Sequence, residues 1–127
     1  MFALFVHDHW AQLILRGLKT WEIRGSRTAR RGRIALLLPG RHVIVGTCEL
    51  VGVEGPLSAR TLARAFACHR IPPRRLGQEV PYRQPFAWLL ARPKLLRRPL
   101  AFHPPRGAVR WVRLPDALAD ALADGPE

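Results

Sequence analysis

The segment from Val43 to Val53 constrains the possible fold of this chain more than any other segment does. It reads VIVGTCELVGV, and its many β-branched residues predict one long strand. Gly46 and Gly52 interrupt that strand, and glycines inside a strand mark bulges or sharp bends. A long strand bent at two points is typical of a small closed barrel, so we expect the sheet to curl.

Helical patterns occur at three places along the chain. The first predicted helix has Asp8 as its N-cap and ends at Gly17. The second has Ser58 as its cap and runs to about Cys68. A short third helix is expected after Asp116, where the sequence DALADALAD alternates acidic and apolar residues.

Short apolar runs bounded by turn residues supply the strands. Pro93 and Pro99 are expected to end the strand that begins at Phe86. The predicted fold is α+β, a small mixed β-barrel of five to six strands flanked by two or three helices. We expect one domain over residues 1–115, followed by an acidic helix or tail over residues 116–127. The predicted strands are Met1–Val6, Lys19–Arg24, Arg33–Leu38, Val43–Val53, Phe86–Ala91 and Val109–Leu114.

The charge of the chain is strongly positive. Twenty-one basic residues face nine acidic ones, which gives a net charge of +12, and four of the acids lie in the last twelve residues. A field of this sign attracts nucleic acid or another polyanion. Nineteen of the basic residues are arginine, so a GC-rich genome is an alternative source of the arginine excess, although it leaves the scarcity of acids unexplained.

Other classes of protein are disfavoured by the sequence. No apolar run reaches the roughly 20 residues of a membrane helix, and the N-terminus lacks a signal-peptide pattern, so we expect a cytoplasmic protein without membrane contact. Cys48 and Cys68 stand alone and are expected to be free thiols. The standard phosphate-loop, serine-hydrolase and zinc motifs do not occur, and His7-Asp8-His9 is better explained by a helix cap than by a metal. We therefore expect no cofactor and no metal.

The segment from Trp10 to Arg33 carries the most informative motif. It contains Gly17-x-Lys19-Thr20-x-Glu22-x-Arg24 directly after the first predicted helix. Together with the strands Gly46–Val51 and Pro85–Leu90, this pattern resembles the ASCH domain, a branch of the PUA-like barrel superfamily. The further matching pieces are Trp10-Ala11, Arg27-Thr28 and Arg31-Gly32-Arg33.

The resemblance implies a PUA-like barrel with a cleft beside the first helix, lined by Lys19, Glu22 and Arg24. It also implies RNA as the usual class of ligand. Some ASCH proteins are enzymes: one bacterial branch hydrolyses an acylated cytidine with the motif lysine, a threonine and a distant glutamate, and another cleaves RNA. This chain has Glu22 in place of that threonine, and Glu79 is the acid in the matching late loop.

The residue types of this motif allow binding or proton transfer. A lysine near a glutamate and an arginine can grip a phosphate or a base edge, and it can act as a base or nucleophile if its pKa is depressed. In a regular strand Thr20, Glu22 and Arg24 share one face and Lys19 points to the other. Lys19 and Glu22 can cooperate only if the backbone bends near residues 17–20. The alternative is a structural ion pair between Glu22 and an arginine of a neighbouring strand.

Several other side chains are candidates for contact with nucleic acid. Four arginines within seven residues, flanked by Gly25 and Gly32, are suited to following a phosphate backbone, unless the loop is simply solvated. Tyr82 is the candidate for stacking on a base, with a plain surface tyrosine as the alternative. His9, at the start of the first helix, either contacts the ligand or is exposed. The loop arginines are Arg27, Arg30, Arg31 and Arg33.

Three functions follow from the sequence. The first is a module that binds RNA or single-stranded nucleic acid, with phosphates on the arginine loop and one nucleotide in the Lys19–Glu22–Arg24 cleft. The second is a hydrolase acting on RNA, as a ribonuclease, or on an acylated or modified nucleoside, with Lys19 and Glu22 as catalytic residues. The third is a protein-interaction module in a translation or transcription complex.

Overall fold

The sequence prediction of a curled mixed sheet is confirmed. The computed structural model describes residues 1–124, and six strands form one sheet that curls into a half-barrel, in the order β2-β5-β4-β3-β1-β6. The strands are β1 (Phe2–Phe5), β2 (Trp21–Arg24), β3 (Gly32–Leu38), β4 (Val43–Glu54), β5 (Phe86–Ala101) and β6 (Trp111–Arg113). The helices are α1 (Asp8–Leu15), α2 (Ala59–Arg64), α3 (Phe66–His69), α4 (Leu76–Glu79) and α5 (Asp116–Asp124).

Strand β4 bends where its glycines stand. Its pairing with β5 shifts register between Ile44 and Gly46, again between Thr47 and Glu49, and again between Leu50 and Gly52. A side chain at Gly46 would overlap Leu15 of α1 and would come within 2.7 Å of the Lys94 carbonyl oxygen. The glycine therefore lets α1 lie directly on the sheet, which fixes where the chain leaves that helix.

The central strands are buried on both faces. Leu4 and Leu36 face α1 and belong to the larger core cluster, which also contains Trp88. Ala3 and Leu37, which point the other way, belong to a second cluster that is closed by Leu122 of α5. Burial on both sides explains why β1 and β3 read as nearly continuous apolar runs, since neither face needs polar residues. Their pairing is parallel.

Strand β5 is much longer than predicted. The sequence prediction that Pro93 and Pro99 end it is wrong, because β5 continues through both. After Leu89, the residues of β5 in the described part of the chain pair only with β4, so the other edge of β5 is open. Proline, which has no backbone N–H, is tolerated at such an edge. The pairing also passes from Ala91 to Lys94, and this register shift leaves Pro93 in a bulge.

The helices also differ in number and limits from the prediction. Residues 1–124 contain five α-helices instead of two or three, because the helix capped by Ser58 breaks at Ala65 and the proline-rich segment after it contains a 3₁₀ turn and α4. The Ser58 cap is confirmed, since its side chain accepts a hydrogen bond from the Thr61 amide. The Asp8 cap is wrong by one residue, because the extended residue is His7 and α1 begins at Asp8. No helix in the described part of the chain is long and apolar enough to span a membrane.

Candidate nucleic-acid interface

A sharp bend after α1 brings Lys19 to the same side as Glu22. The amides of Leu18 and Lys19 both donate to the Leu13 carbonyl, 3.0 and 3.1 Å away, and Gly17 between them and the helix has a φ of +78°. The Thr20 amide donates to the carbonyl of Cys68, and β2 starts only at the next residue. Lys19 is therefore outside the strand, so strand alternation does not apply to it. The bend that cooperation between Lys19 and Glu22 requires is present.

The Lys19 ammonium is almost completely removed from solvent. The residue is 2% exposed, and Nζ donates a hydrogen bond of 2.7 Å to the His69 carbonyl oxygen. Nζ also lies 4.7 Å from the centroid of the Trp10 ring and 3.8 Å from Glu22 Oε1. Burial lowers the pKa of Lys19, and the Arg24 charge adds to that, while Glu22 acts in the opposite direction. A lysine in this setting is a more available proton acceptor than a surface lysine.

Glu22 and Arg24 form the second half of the site. They are two residues apart in β2 and share a face, and Arg24 Nε and Nη2 both lie 2.9 Å from Glu22 Oε2. Arg24 Nη2 also donates to the Phe5 carbonyl at 2.9 Å, and its guanidinium is 5.5 Å from the Trp88 ring centroid. The Glu22 partner is thus an arginine of its own strand. Within residues 1–124, no hydrogen-bond donor is bound to Glu22 Oε1.

These three residues line one wall of a cavity, which we call the central cleft. Its volume is about 450 Å³, within the usual range for small-molecule sites. Tyr82 closes part of it: its ring packs on Gly25, where a Cβ atom would come 2.7 Å from the ring. The structure therefore places Lys19, Glu22 and Arg24 in one cleft, as the family resemblance implied, and it adds Tyr82 to the same cleft. The remaining walls include Phe5, His7, Trp10, Glu79 and Val109.

Two wall residues of the central cleft were not predicted as site residues. Trp10 belongs to the family motif, and in the structure it is partly buried with its ring 4.7 Å from the Lys19 ammonium. Glu79, the acid of the late loop, lies on the cleft wall with an ion pair of 2.6 Å to Arg75. The sequence held a signal for Glu79, since it is the only acid between Glu54 and Asp116.

His9 lies outside the central cleft. It lines a neighbouring cavity of about 720 Å³ together with Arg74 and Arg75, and its ring is 4.6 Å from that of Trp10. Of the two alternatives for His9, the structure shows an exposed residue, and His7, two residues earlier and just before α1, is the histidine that lines the central cleft.

The arginine loop also lies away from the central cleft. The Arg30 guanidinium stacks 3.4 Å from the Phe2 ring centroid and 5.0 Å from that of Trp111. Arg33 stands in β3, where Nη1 donates to Thr47 Oγ1 and Nη2 donates to Glu49 Oε2, both at 3.1 Å. These two side chains therefore make contacts within the fold, Arg30 with aromatic rings and Arg33 with side chains of β4.

The other two loop arginines are bound to main-chain oxygens. Arg31 Nη1 donates to the carbonyls of Thr28 and Arg30, at 2.8 and 2.7 Å. Arg27 Nη1 donates to the Gly55 carbonyl at 3.4 Å, and its guanidinium is 5.6 Å from the Phe86 ring centroid. Both residues are exposed, so both charges remain accessible to a ligand.

No group of three or more acidic, histidine or cysteine side chains within residues 1–124 is placed to hold a metal ion. The chemistry open to the central cleft is therefore that of a buried lysine, two carboxylates, an arginine and aromatic rings.

Comparison with known proteins identifies the family. The family model described as the ASCH domain matches residues 4–99. The fold is similar to a crystal structure of ASCH from Zymomonas mobilis, with a TM-score of 0.77 and 16% identity over 99% of this chain and 95% of that one. An S128A mutant protein of ZmASCH from the same organism gives a TM-score of 0.74 and 18% identity over 96% and 93% of the two chains.

A more distant similarity connects the fold to another named domain. The N-terminal domain of Staphylothermus marinus McrB has a TM-score of 0.57 and 12% identity over 98% of this chain and 93% of that one. No curated protein matches the chain. Since the ASCH model covers well over half of the sequence, the chain belongs to the ASCH domain family.

Proposed function

We propose, taking membership of the ASCH domain family as the premise, that this protein binds RNA or single-stranded nucleic acid and holds one nucleotide in the central cleft. The observation that supports this most is the set of buried Lys19, buried Glu22 and partly buried Arg24 on one wall of a cavity whose other walls include the aromatic rings of Phe5, Trp10 and Tyr82. Buried charges are costly unless they are paired or used, and sites that bind bases combine such polar groups with flat apolar rings.

The wall offers a donor beside an acceptor. Lys19 Nζ and Glu22 Oε1 are 3.8 Å apart, too far for a good hydrogen bond between them. Nζ keeps donors to spare beyond the one used on the His69 carbonyl, and Oε1 keeps acceptor capacity. A base edge presents adjacent donors and acceptors, so it would satisfy both atoms at once. Tyr82, on the same cleft, would stack on the face of that base.

The charge of the whole molecule supports a polyanionic ligand. The net charge is +12, and the exposed Arg27 and Arg31 remain able to contact phosphates while they hold carbonyl oxygens. Arg30 and Arg33, which the sequence places in the same basic loop, would act by shaping that loop. Phosphate contacts of this kind fix a strand in place and leave discrimination to the base in the cleft.

The test is binding of a labelled single-stranded RNA, followed by fluorescence anisotropy at about 50 and 200 mM salt. We expect a steep loss of affinity with salt, with a slope of about −0.7 for each phosphate contact. Lys19→Met, which keeps the length and burial of the side chain, should weaken binding by about tenfold, because a charged hydrogen bond is lost. Arg98→Ala is the matched control, since Arg98 is exposed on β5 and does not line the central cleft.

Two outcomes would overturn the proposal. One is RNA binding that is absent or insensitive to salt. The other is a Lys19→Met protein that binds as tightly as Arg98→Ala, which would place the ligand away from the central cleft.

A hydrolase is the second candidate, favoured by the presence of Lys19 and Glu79 on one cleft. The lowered pKa of Lys19 would let it accept a proton or attack a carbonyl carbon, and a carboxylate of Glu22 or Glu79 would carry the proton onward. The same RNA, run on a denaturing gel after incubation, and an acylated cytidine followed by chromatography provide the readout. Intact substrates with wild-type protein would exclude this candidate and leave the binding proposal standing.

A further inference from the structure

Two further cavities each share three wall residues with the central cleft, at different parts of its wall. The first, of about 720 Å³, shares His7, Trp10 and Glu79 with the cleft and also contains Arg74. We call it the Arg74 cavity. The second, of about 450 Å³, shares Phe5, Pro39 and Ala108 with the cleft and also contains Arg106, and we call it the Arg106 cavity. The two sets of shared residues have no member in common. Each outer cavity thus adjoins the central cleft at a different part of its wall, and we call the three cavities together the row.

Each outer cavity carries a cation that the protein itself does not use. Arg74 is exposed and makes no hydrogen bond or ion pair with any of residues 1–124, whereas its neighbour Arg75 is held by Glu79 at 2.6 Å. Arg106 is likewise exposed and makes neither kind of contact in the described part of the chain. A histidine accompanies each of them: His9 lines the Arg74 cavity and His42 lines the Arg106 cavity.

The central cleft differs from both. Its Glu22 carboxylate lies between Lys19 and Arg24, so that opposite charges are matched inside it. The uncommitted positive charge of the row is at its two ends. Such a distribution suits a ligand whose middle is a neutral base and whose negative charges lie on either side, because phosphate contacts position a strand and base contacts read it.

We infer that the row of three cavities is a groove for an internal stretch of single-stranded nucleic acid, in which the nucleotide in the central cleft has a phosphodiester neighbour on each side. This inference rests on the proposed function and narrows it. The ligand is a continuing strand that passes through the site, with one flanking phosphate at Arg74 and the other at Arg106. A free nucleoside or a chain end would fill only part of the groove.

A length series tests the inference. A mononucleotide and di-, tri- and tetranucleotides of one base, in RNA and DNA versions, are titrated into the wild-type protein by calorimetry at low salt. We expect affinity to rise by about tenfold or more from the mononucleotide to the trinucleotide, because linked contacts add without a second association cost. It should then change little for the tetranucleotide. Comparison of the RNA and DNA versions shows whether the 2′-hydroxyl contributes to binding affinity.

Variants assign the ends of the groove. Arg74→Ala and Arg106→Ala should each weaken trinucleotide binding by about fivefold, the size of one exposed charged contact. At most one of the two variants should weaken binding of the mononucleotide, because its single phosphate can reach only one end of the groove. Arg98→Ala, an exposed arginine that lines none of the three cavities, should change neither. All three side chains are exposed, so the variants should keep the wild-type circular dichroism spectrum.

The results separate the inference from the function beneath it. If mononucleotide and trinucleotide bind equally and Lys19→Met weakens both, the central cleft binds a nucleotide and the groove is refuted. If Arg74→Ala and Arg106→Ala behave as Arg98→Ala does, the groove is also refuted. If no nucleotide of any length binds, the proposed function and the groove fail together.

Discussion

The arginine loop and the central cleft are both rich in charged side chains, but the fold holds these side chains in different ways. The loop concentrates four arginines in seven residues, yet two of them are held within the fold, Arg30 by aromatic rings and Arg33 by Glu49. The cleft holds only two cations, Lys19 and Arg24, but it buries them with one carboxylate on the wall of a cavity. The density of charge in a sequence therefore says little about which charges are free to bind a ligand. Partners within the fold decide that.

The largest difference should appear when each region loses its carboxylate. Glu22→Ala leaves Lys19 and Arg24 side by side without a counter-charge in a buried place, which costs about 3 kcal/mol of unfolding free energy. Glu49→Ala removes the partner of Arg33 and Arg92 at the surface, where water replaces it, and should cost much less. Urea unfolding followed by circular dichroism measures both.

An equal loss of unfolding free energy in the Glu22→Ala and Glu49→Ala variants would contradict this difference between the two regions. That result would mean that the ion pairs of Glu22 are screened as well as those of Glu49, and that the central cleft is no more buried than the loop.

Acid should weaken the cleft through His69, a smaller effect than Glu22→Ala. Its ring is buried with both nitrogens in use: Nε2 donates to the Leu62 carbonyl at 2.8 Å, and Nδ1 accepts from the Ile71 amide at 2.9 Å. Protonation would put a hydrogen on Nδ1, where the amide hydrogen already points. Burial lowers the pKa of His69 below 6.5, and the Lys19 charge adds to this, while the Leu62 hydrogen bond opposes it.

The sign of the pH effect follows from that direction. Above about pH 6.5 the ring is neutral in the folded and unfolded chains, and its contribution to stability is complete. As the pH falls below this value the unfolded chain takes up the proton first, so stability is lost until the lower pKa of the folded protein is passed. His69→Gln keeps a donor for Leu62 and has no titration, so its unfolding free energy should fall less between pH 7.5 and 5.5. An equal fall in both proteins would contradict the assignment.

The smallest effects separate two arginines within the loop. Arg30→Ala loses stacking on Phe2 and Trp111 and should cost about 1 kcal/mol of stability. Arg31→Ala should leave stability unchanged, since its partners are the Thr28 and Arg30 carbonyls at the surface, and it should reduce the salt slope of RNA binding by about one contact. A destabilised Arg31→Ala or an unaffected Arg30→Ala would reverse the roles given to them.

The sequence was sufficient for the features that depend on near neighbours. Apolar runs bounded by turn residues predicted the strands, and glycine placement predicted the bends of β4, because both signals lie within the strand itself. The family motif placed Lys19, Glu22 and Arg24 in one cleft. Motif spacing also showed that a bend near Gly17 was needed for this, and the bend is made by amides that converge on the Leu13 carbonyl.

Features that depend on distant residues could not be predicted in this way. Pro99 is compatible with β5 because the pairing with β4 passes from Leu95 to Leu100 and the other edge of β5 is open there, and both depend on the neighbouring strands. The sequence predicts Arg30 as a phosphate contact, whereas in the fold β1 and β6 place Phe2 and Trp111 against its guanidinium. Glu79 reaches the cleft through α4, a four-residue helix with no periodic signal of its own.

The position of Trp10 has a consequence for how the protein can be observed. Its indole forms a wall of both the central cleft and the Arg74 cavity, partly buried and beside the Lys19 ammonium. Trp88 and Trp111, in contrast, stack on each other with ring centroids 5.8 Å apart. A ligand that displaces water from the groove changes the polarity around Trp10, whereas Trp21 and the stacked pair line none of its three cavities and contribute background emission. The emission of the unmodified protein therefore contains an optical signal for occupancy of the groove.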